Sequence, residues 1–158
     1  MPTAVVINGP NLNRLGLREP EIYGTASLGQ ILARVRARAK DLGWELEVFQ
    51  SNHEGDLIDE IQRVADESFD GIIINPGALA HYSYALHDAL RSVDVPAVEV
   101  HLTDIENRQE EWRRESVTAA ACVAMIAGKG PDGYVEALEL LASRVQATPD
   151  GSPAEVAS

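Results

Sequence analysis

The sequence predicts an α/β sandwich built on a five-stranded parallel sheet. Short β-rich apolar runs at 4–7, 46–49, 71–74, 97–100 and 122–127 alternate with stretches whose apolar residues recur at helical spacing. The run Gly71-Ile72-Ile73-Ile74-Asn75 is apolar on both faces, as befits a strand at the centre of a parallel sheet.

Taken in order, the first run, Ala4-Val5-Val6-Ile7, empties into the segment Asn8–Gly24. Gly9, Pro10, Gly16, Pro20 and Gly24 punctuate that segment, which predicts a loop rather than a helix or strand. Loops this long inside a compact domain are usually lids or binding loops. This one carries Asn8, Asn11, Asn13, Arg14, Arg18 and Tyr23, and an arginine five residues before a tyrosine can set a cation beside a phenol. Leu28, Ile31, Leu32, Val35, Ala39 and Leu42 then follow helical spacing, as do Leu57, Ile58, Ile61, Val64 and Ala65. Ser27 with Gln30, and Ser51 with Glu54, each fit a capping box at the start of these helices. A third helix is expected over about 80–93 and a last one from Tyr134 to about Val145. Alternating units of this kind in 158 residues indicate a doubly wound, flavodoxin-like three-layer sandwich, one domain over 1–146. The remaining 147–158, rich in Pro, Gly, Ser and Ala, is expected to be a disordered tail.

Composition narrows the function. A net charge of −12 argues against nucleic acid or an anionic membrane surface, because phosphate polymers need clustered cations. Two lysines, Lys40 and Lys129, stand against eleven arginines, and arginine grips carboxylates and phosphates in a bidentate fork. An anionic ligand would therefore be small and enclosed, held by a local arginine group against the global field. No apolar stretch reaches the length that spans a bilayer, and no secretory pattern opens the chain, so a cytoplasmic location is expected. The single cysteine, Cys122, lies in an apolar run and reads as a small buried hydrophobe.

In a doubly wound fold the ligand lies beyond the carboxyl ends of the strands. Those ends bring together Asn8 with the lid, Asn75-Pro76-Gly77, and Glu99-Val100-His101. His101, directly after a strand at that edge, is a candidate proton donor near neutral pH. His81 and His87, six residues apart, fall on different faces of a helix and lack metal-site spacing, so no metal is expected; His53 and His87 read as surface or capping residues. The turn Asn75–Asp88 offers free backbone N–H groups to an anion or a water, and Thr103 with the preceding amide could take a carboxylate. Arg108, Arg113 and Arg114, interleaved with Glu106, Glu110, Glu111 and Glu115, read in isolation as a solvated helix face. Gly128-Lys129-Gly130 lacks the rest of a P-loop and reads as a glycine-rich exit from the last strand. No dinucleotide fingerprint follows the first strand, so a dinucleotide cofactor is not expected, and the absence of Gly-x-Ser-x-Gly removes the usual hydrolase elbow.

Asn8–Gly24, Gln50–Gly55, Ile74–Leu90, Val98–Ile105 and Gly128–Ala137 together closely resemble the type II 3-dehydroquinate dehydratases of the shikimate and quinate pathways. The lid pattern Gly-Pro-Asn-Leu-Asn-x-Leu-Gly-x-Arg-x-Pro-x-x-Tyr-Gly is long and specific, and the similarity runs over nearly the whole chain except the tail. The resemblance implies a cofactor-free and metal-free elimination of water from 3-dehydroquinate through an enolate, in a dodecamer built as four trimers. It implies Tyr23 as the base at C2, Arg18 as the cation that lowers the phenol's pKa, and His101 as the general acid at the C1 hydroxyl, oriented by Glu99. Asn11 would lie near the reacting centre, and Asn75 would hold a water against the enolate oxygen. His81, Thr103, the Leu102 backbone and Arg113 would bind substrate hydroxyls and carboxylate, and Asp88 would reach a neighbouring subunit's site.

Physical chemistry is consistent with these roles. A free phenol is only about 0.1% ionised at neutral pH, and ionising it there needs about 4 kcal/mol of preferential interaction with the phenolate. A close guanidinium in a partly closed site supplies energy of that order. Two departures stand out: Thr103-Asp104 occupies the place of a common Ser-Asn, and Arg108–Arg113 is one residue longer than the usual Arg-x-x-aromatic-Arg. Aligning on Trp112 places the substrate arginine at Arg113, with Arg108 or Arg114 as alternatives. Competing readings are a non-catalytic module that binds a small anion and a flavin-binding electron carrier. The second lacks a Ser/Thr-rich phosphate loop after the first strand. The lysine-dependent barrel type of dehydroquinase needs about 200 residues or more, and the chain is too short for it.

Overall fold

The computed structural model describes residues 1–17 and 19–146, without the side chains of Pro20 and Tyr23. The expected tail, 147–158, lies outside the described residues. Five strands, β1 (Thr3–Asn8), β2 (Glu45–Gln50), β3 (Gly71–Asn75), β4 (Ala97–His101) and β5 (Ala124–Ala127), form one parallel sheet in the order β2-β1-β3-β4-β5. The helices are α1 (Pro20–Tyr23), α2 (Leu28–Leu42), α3 (Glu54–Asp66), α4 (Tyr84–Arg91) and α5 (Asp132–Gln146). This is the flavodoxin-like three-layer sandwich, and its order reverses between β1 and β3.

Alternation along the strands assigns each side chain to a layer. Ala4 and Val6 of β1, Ile73 of β3, and Val98 and Val100 of β4 pack with Ile31 and Val35 of α2 and with Ala137, Leu138 and Leu141 of α5. Val5, Ile7, Ile72 and Ile74 face the opposite layer, where Leu57, Ile61 and Val64 of α3 meet Leu86 and Leu90 of α4. Both faces of β3 are thereby sealed, and every residue of that strand is buried.

Three local expectations are corrected. The capping box at Ser27 forms as read, with Ser27 Oγ accepting from Gln30 N and Gln30 Oε1 accepting from Ser27 N. The second does not, because α3 starts two residues later than a Ser51 cap requires. Its N-cap is His53, and Ser51 Oγ instead donates to Asp56 Oδ2 and accepts from His53 N. The helix expected over about 80–93 divides into a 3-10 turn at Gly77–His81 and α4 from Tyr84, capped by Ser83 Oγ, which accepts from Leu86 N. The lid is not wholly irregular: a 3-10 turn at Leu12–Arg14 and the short α1 interrupt it. Leu12 and Leu15 are buried and pin its first half to the α2/α5 layer, whereas Leu17 is exposed.

Candidate active site

The carboxyl ends of β1, β3 and β4 open onto one cleft. It is lined by Pro10, Asn11 and Leu12 from the lid, Asn75, Gly77, Ala78 and His81 after β3, and His101, Leu102, Thr103 and Ile105 after β4, with Arg108 and Arg113 beyond. The backbone comes very close at the floor. Gly9 N donates to Asn75 O at 2.8 Å, and a Cβ on Gly9 would stand 2.4 Å from Pro76 O. Gly77 adopts φ +61°, and a Cβ there would lie 2.9 Å from Pro10 O. Asn11 takes a left-handed conformation at φ 70°, and its N–H donates to Asn52 Oδ1 at 2.9 Å. Gln50, at the end of β2, donates to Gly9 O and Asn52 Oδ1, both at 3.2 Å, so the exit of β2 braces the root of the lid.

His101 closes one wall. Its Nε2 lies 2.8 Å from Glu99 Oε2, and Glu99 is fully buried. Ser116 Oγ donates to Glu99 Oε2, and Thr118 Oγ1 donates to Glu99 Oε1. A buried carboxylate is retained only where its oxygens are satisfied, and these donors satisfy both. His81 stacks against His101 with ring centroids 6.3 Å apart and interplanar angle 25°. His81 Nδ1 lies 2.6 Å from Glu115 O, which as a carbonyl accepts the N–H. Burial holds the His81 imidazole below its ordinary value, opposed by its hydrogen bond to Glu115 and reinforced by the charges of His101 and Arg113.

The segment 105–116 departs from the solvated helix its charge run suggested. It folds as two 3-10 turns, Ile105–Asn107 and Glu111–Arg113, from which Ile105 and Arg113 line the cleft. Arg113 Cζ sits 4.1 Å above the Trp112 ring, and Trp112 meets His81 edge-on at 5.5 Å. Arg113 Nε is buried, without a hydrogen-bond partner among the described residues; Glu110 Oε2 makes an ion pair with it at 3.5 Å. Arg108 also lines the cleft, with Nη1 3.5 Å from Thr103 Oγ1. Arg114 instead donates to the carbonyls of Arg108 and Gln109, at 2.7 and 3.2 Å, and so braces the turn.

Of the residues expected at the site, Asn11, Asn75, His81, His101, Leu102, Thr103 and Arg113 share this cleft, and Glu99 supports it from behind. Asp88 does not line it; it is exposed on α4. Arg18 and the side chain of Tyr23 lie outside the described residues. Ser116, Thr118 and Tyr134 support the site without having been singled out for it, while Arg108, the alternative to Arg113, lines the cleft as well. The three hydroxyls become informative only once the fold brings them beside Glu99 and Asn75. His53 is exposed at the start of α3, and the half-buried His87 carries its Nδ1 2.8 Å from Val117 O. Cys122 is half-buried against the α3/α4 layer, where burial pushes its thiol up to about 12. Gly128-Lys129-Gly130 is the tight exit from β5, with both glycines at positive φ. Among the described residues, no group of three or more His, Cys, Asp or Glu side chains could hold a metal ion, and no helix is long and apolar enough to cross a membrane.

A doubly wound sandwich whose switch-point cleft holds two histidines and two arginines has the architecture of an enzyme for a small anion. The chain belongs to the dehydroquinase class II family, whose model matches residues 2–142. It is 52% identical over 141 residues to the 3-dehydroquinate dehydratase of Caldicellulosiruptor bescii, covering 89% of this chain and 97% of that one. The 3-dehydroquinate dehydratase of Clostridium perfringens is 50% identical over 142 residues, at 90% and 98% coverage. The crystal structure of type II dehydroquinase from Butyrivibrio crossotus superposes with a TM-score of 0.86 at 45% identity, over 89% of this chain and 97% of that one. A 3-dehydroquinate dehydratase-like protein from Bifidobacterium longum gives 0.66 at 32% identity, over 90% and 97%.

Proposed function

We propose that the chain is a hydro-lyase that eliminates water from 3-dehydroquinate to give 3-dehydroshikimate, by an enolate route that uses no metal or cofactor. Membership of the dehydroquinase class II family supports this reading, together with one observation of geometry: His101 is held against a buried carboxylate in a cleft that also contains two arginines.

In the proposed mechanism the substrate carboxylate is bound by Thr103, the Leu102 amide and Arg113, while His81 and Asn75 contact its hydroxyls. Tyr23, as phenolate beside Arg18, takes the C2 proton, and the C2–H electron pair becomes the enolate. Asn75, with a bound water, meets the charge on the enolate oxygen, and preorganised donors of this kind are usually the largest single contribution to such a step. His101 then delivers a proton to the C1 hydroxyl as the C1–O bond breaks, so water leaves and the enone forms. Tyr23 has gained one proton and His101 has lost one, and exchange with solvent restores both. Glu99 orients His101, Asn11 lies at the reacting centre, and closure of the lid excludes water. The enzyme is proposed to act in the cytoplasm as a dodecamer of four trimers, with Asp88 reaching the site of the neighbouring subunit. Its exposure on α4 is compatible with that role.

The test is ultraviolet absorbance of the purified chain mixed with 3-dehydroquinate. A rise from the conjugated enone that persists in chelator and is lost in Tyr23→Phe supports the reaction and its base together. No rise from a folded wild type would leave a small-anion binding module as the better reading.

A further inference from the structure

The two central strands end side by side on asparagines, and a single tyrosine from the far layer bridges them. Asn8 and Asn75 are register partners on β1 and β3, at the switch point of the sheet. Tyr134, in the first turn of α5, is fully buried among Val6, Ile73, Val98, Val100 and Ala137. In that apolar layer phenylalanine would serve for packing. The hydroxyl instead runs through the core to the floor of the cleft, where it meets Asn75 Nδ2 at 2.9 Å and Asn8 Oδ1 at 2.7 Å.

The donors and acceptors determine one another. Gly77 N–H donates to Asn75 Oδ1 at 3.1 Å, so the oxygen of that amide faces Gly77 and its nitrogen faces Tyr134. Tyr134 Oη must then accept from Asn75 and spend its single proton on Asn8 Oδ1. Asn8 is left with its Nδ2 buried and without a hydrogen-bond partner among the described residues, although the residue is fully buried. An unpaired buried donor costs stability, and a well-packed apolar residue would avoid the cost. Burial also raises the Tyr134 phenol above its ordinary range, which keeps it a protonated donor.

We infer that Tyr134 and Asn8 are positioning residues for the dehydration: they lock the Asn75 amide in one of its two orientations, so that one Nδ2 proton remains directed to the cleft. This rests on the role proposed for Asn75 at the enolate oxygen. Without the hydroxyl only the Gly77 N–H holds the amide, and the donor is presented for only part of the time.

The experiment compares steady-state enone formation by wild type, Tyr134→Phe and Leu138→Ala, alongside solvent hydrogen exchange at C2 of 3-dehydroquinate. Leu138 is a fully buried neighbour in the same layer, distant from the relay in role, and serves as the control for lost packing. In Tyr134→Phe, kcat should fall roughly tenfold, the scale of one neutral hydrogen bond, with KM within about twofold. C2 exchange should fall with kcat, because the affected step is enolate formation itself. Leu138→Ala should lose thermal stability and keep kcat. If Tyr134→Phe does not fold, Asn8→Leu removes the other end of the relay and is read by the same criteria. An active wild type beside an unchanged kcat in the relay variant, a loss confined to KM, or an equal loss of kcat in Leu138→Ala overturns the inference. A wild type that forms no enone overturns the dehydratase reading itself, and the relay falls with it.

Discussion

His101 and Glu99 stand two residues apart on one strand, and their side chains meet at 2.8 Å, Nε2 to Oε2. A spacing of two puts both on the same face of β4, and the end of the strand leaves only the histidine facing the cleft. Because the carboxylate can only accept, Nε2 carries the proton and Nδ1 is the nitrogen left to meet a ligand. Glu99→Gln retains shape and hydrogen-bonding capacity but removes the charge. The expected result is a fall in kcat of about 10- to 150-fold, the scale of a charge-assisted hydrogen bond, with KM little changed. Steady-state kinetics read both constants, and a wild-type kcat would remove Glu99 from the proposed mechanism. Ser116→Ala and Thr118→Ala should each move kcat in the same direction by less, since the other hydroxyl and His101 still donate to the carboxylate in either.

Arg113 and Arg114 are adjacent and divide sharply in use. Arg113 lies over Trp112 and lines the cleft, whereas Arg114 holds the carbonyls of Arg108 and Gln109. A lysine at 113 would keep the charge but lose the planar fork and the stacking. Arg113→Lys should therefore raise KM for 3-dehydroquinate about 10- to 100-fold. Arg114→Lys should raise it by much less, because its partners are backbone carbonyls of the turn. Equal effects would mean that both arginines act only by shaping the turn.

These two arginines also mark the limit of what sequence reveals. The order of β-runs, the helical spacings and the apolar character of Ile72, Ile73 and Ile74 each reflect a local rule, and the parallel sheet with its edge of polar clusters follows from them. Asn75 and His101 could be read as candidates because strand ends in such folds face the ligand. Ser116 and Thr118 could not, since their value depends on the fold of a turn that carries them back beside β4. Tyr134 looks like one more core aromatic in a helical pattern; only the third dimension shows its hydroxyl between Asn8 and Asn75. The backbone of 105–116 is illegible in its charge run for a related reason. Its charges resemble an exposed helix, but helical hydrogen bonds give way to 3-10 turns and to side chains that cap and stack.

The close approach at the cleft floor predicts an asymmetry between two glycines. A Cβ on Gly9 would meet Pro76 O at 2.4 Å and Pro76 C at 2.7 Å, both backbone atoms fixed by β3. On Gly71 it would meet Leu141 Cδ1 at 2.7 Å, the far end of a side chain that can turn aside. Gly9→Ala should cost about 3 kcal/mol or more and Gly71→Ala about 1 kcal/mol, judged by overpacking in cores. Urea unfolding of the two variants checks the order, and a milder effect at Gly9 would show that the lid root can shift away from β3.

His81 supplies the pH dependence. Its folded-state value lies below the ordinary 6.5, chiefly through burial. Above that ordinary value both the folded and the unfolded chain leave the imidazole neutral, and it contributes no slope to the stability. As pH falls through 6.5 the unfolded chain binds the proton first, so each further step in acidity favours unfolding until the pH passes below the folded value. Protonation in the folded state would also set a new cation beside His101 and Arg113, which the charges there already oppose. Replacing the ring with an amide, in His81→Asn, keeps a donor for the Glu115 carbonyl and removes the titration. Between about pH 7.5 and about pH 5, the wild type should lose more stability than His81→Asn, with the difference opening below the ordinary imidazole value. Thermal unfolding of both proteins across that range reads the difference directly. Parallel curves would mean that His81 binds its proton equally well in both states, and the acid sensitivity would then belong to other groups.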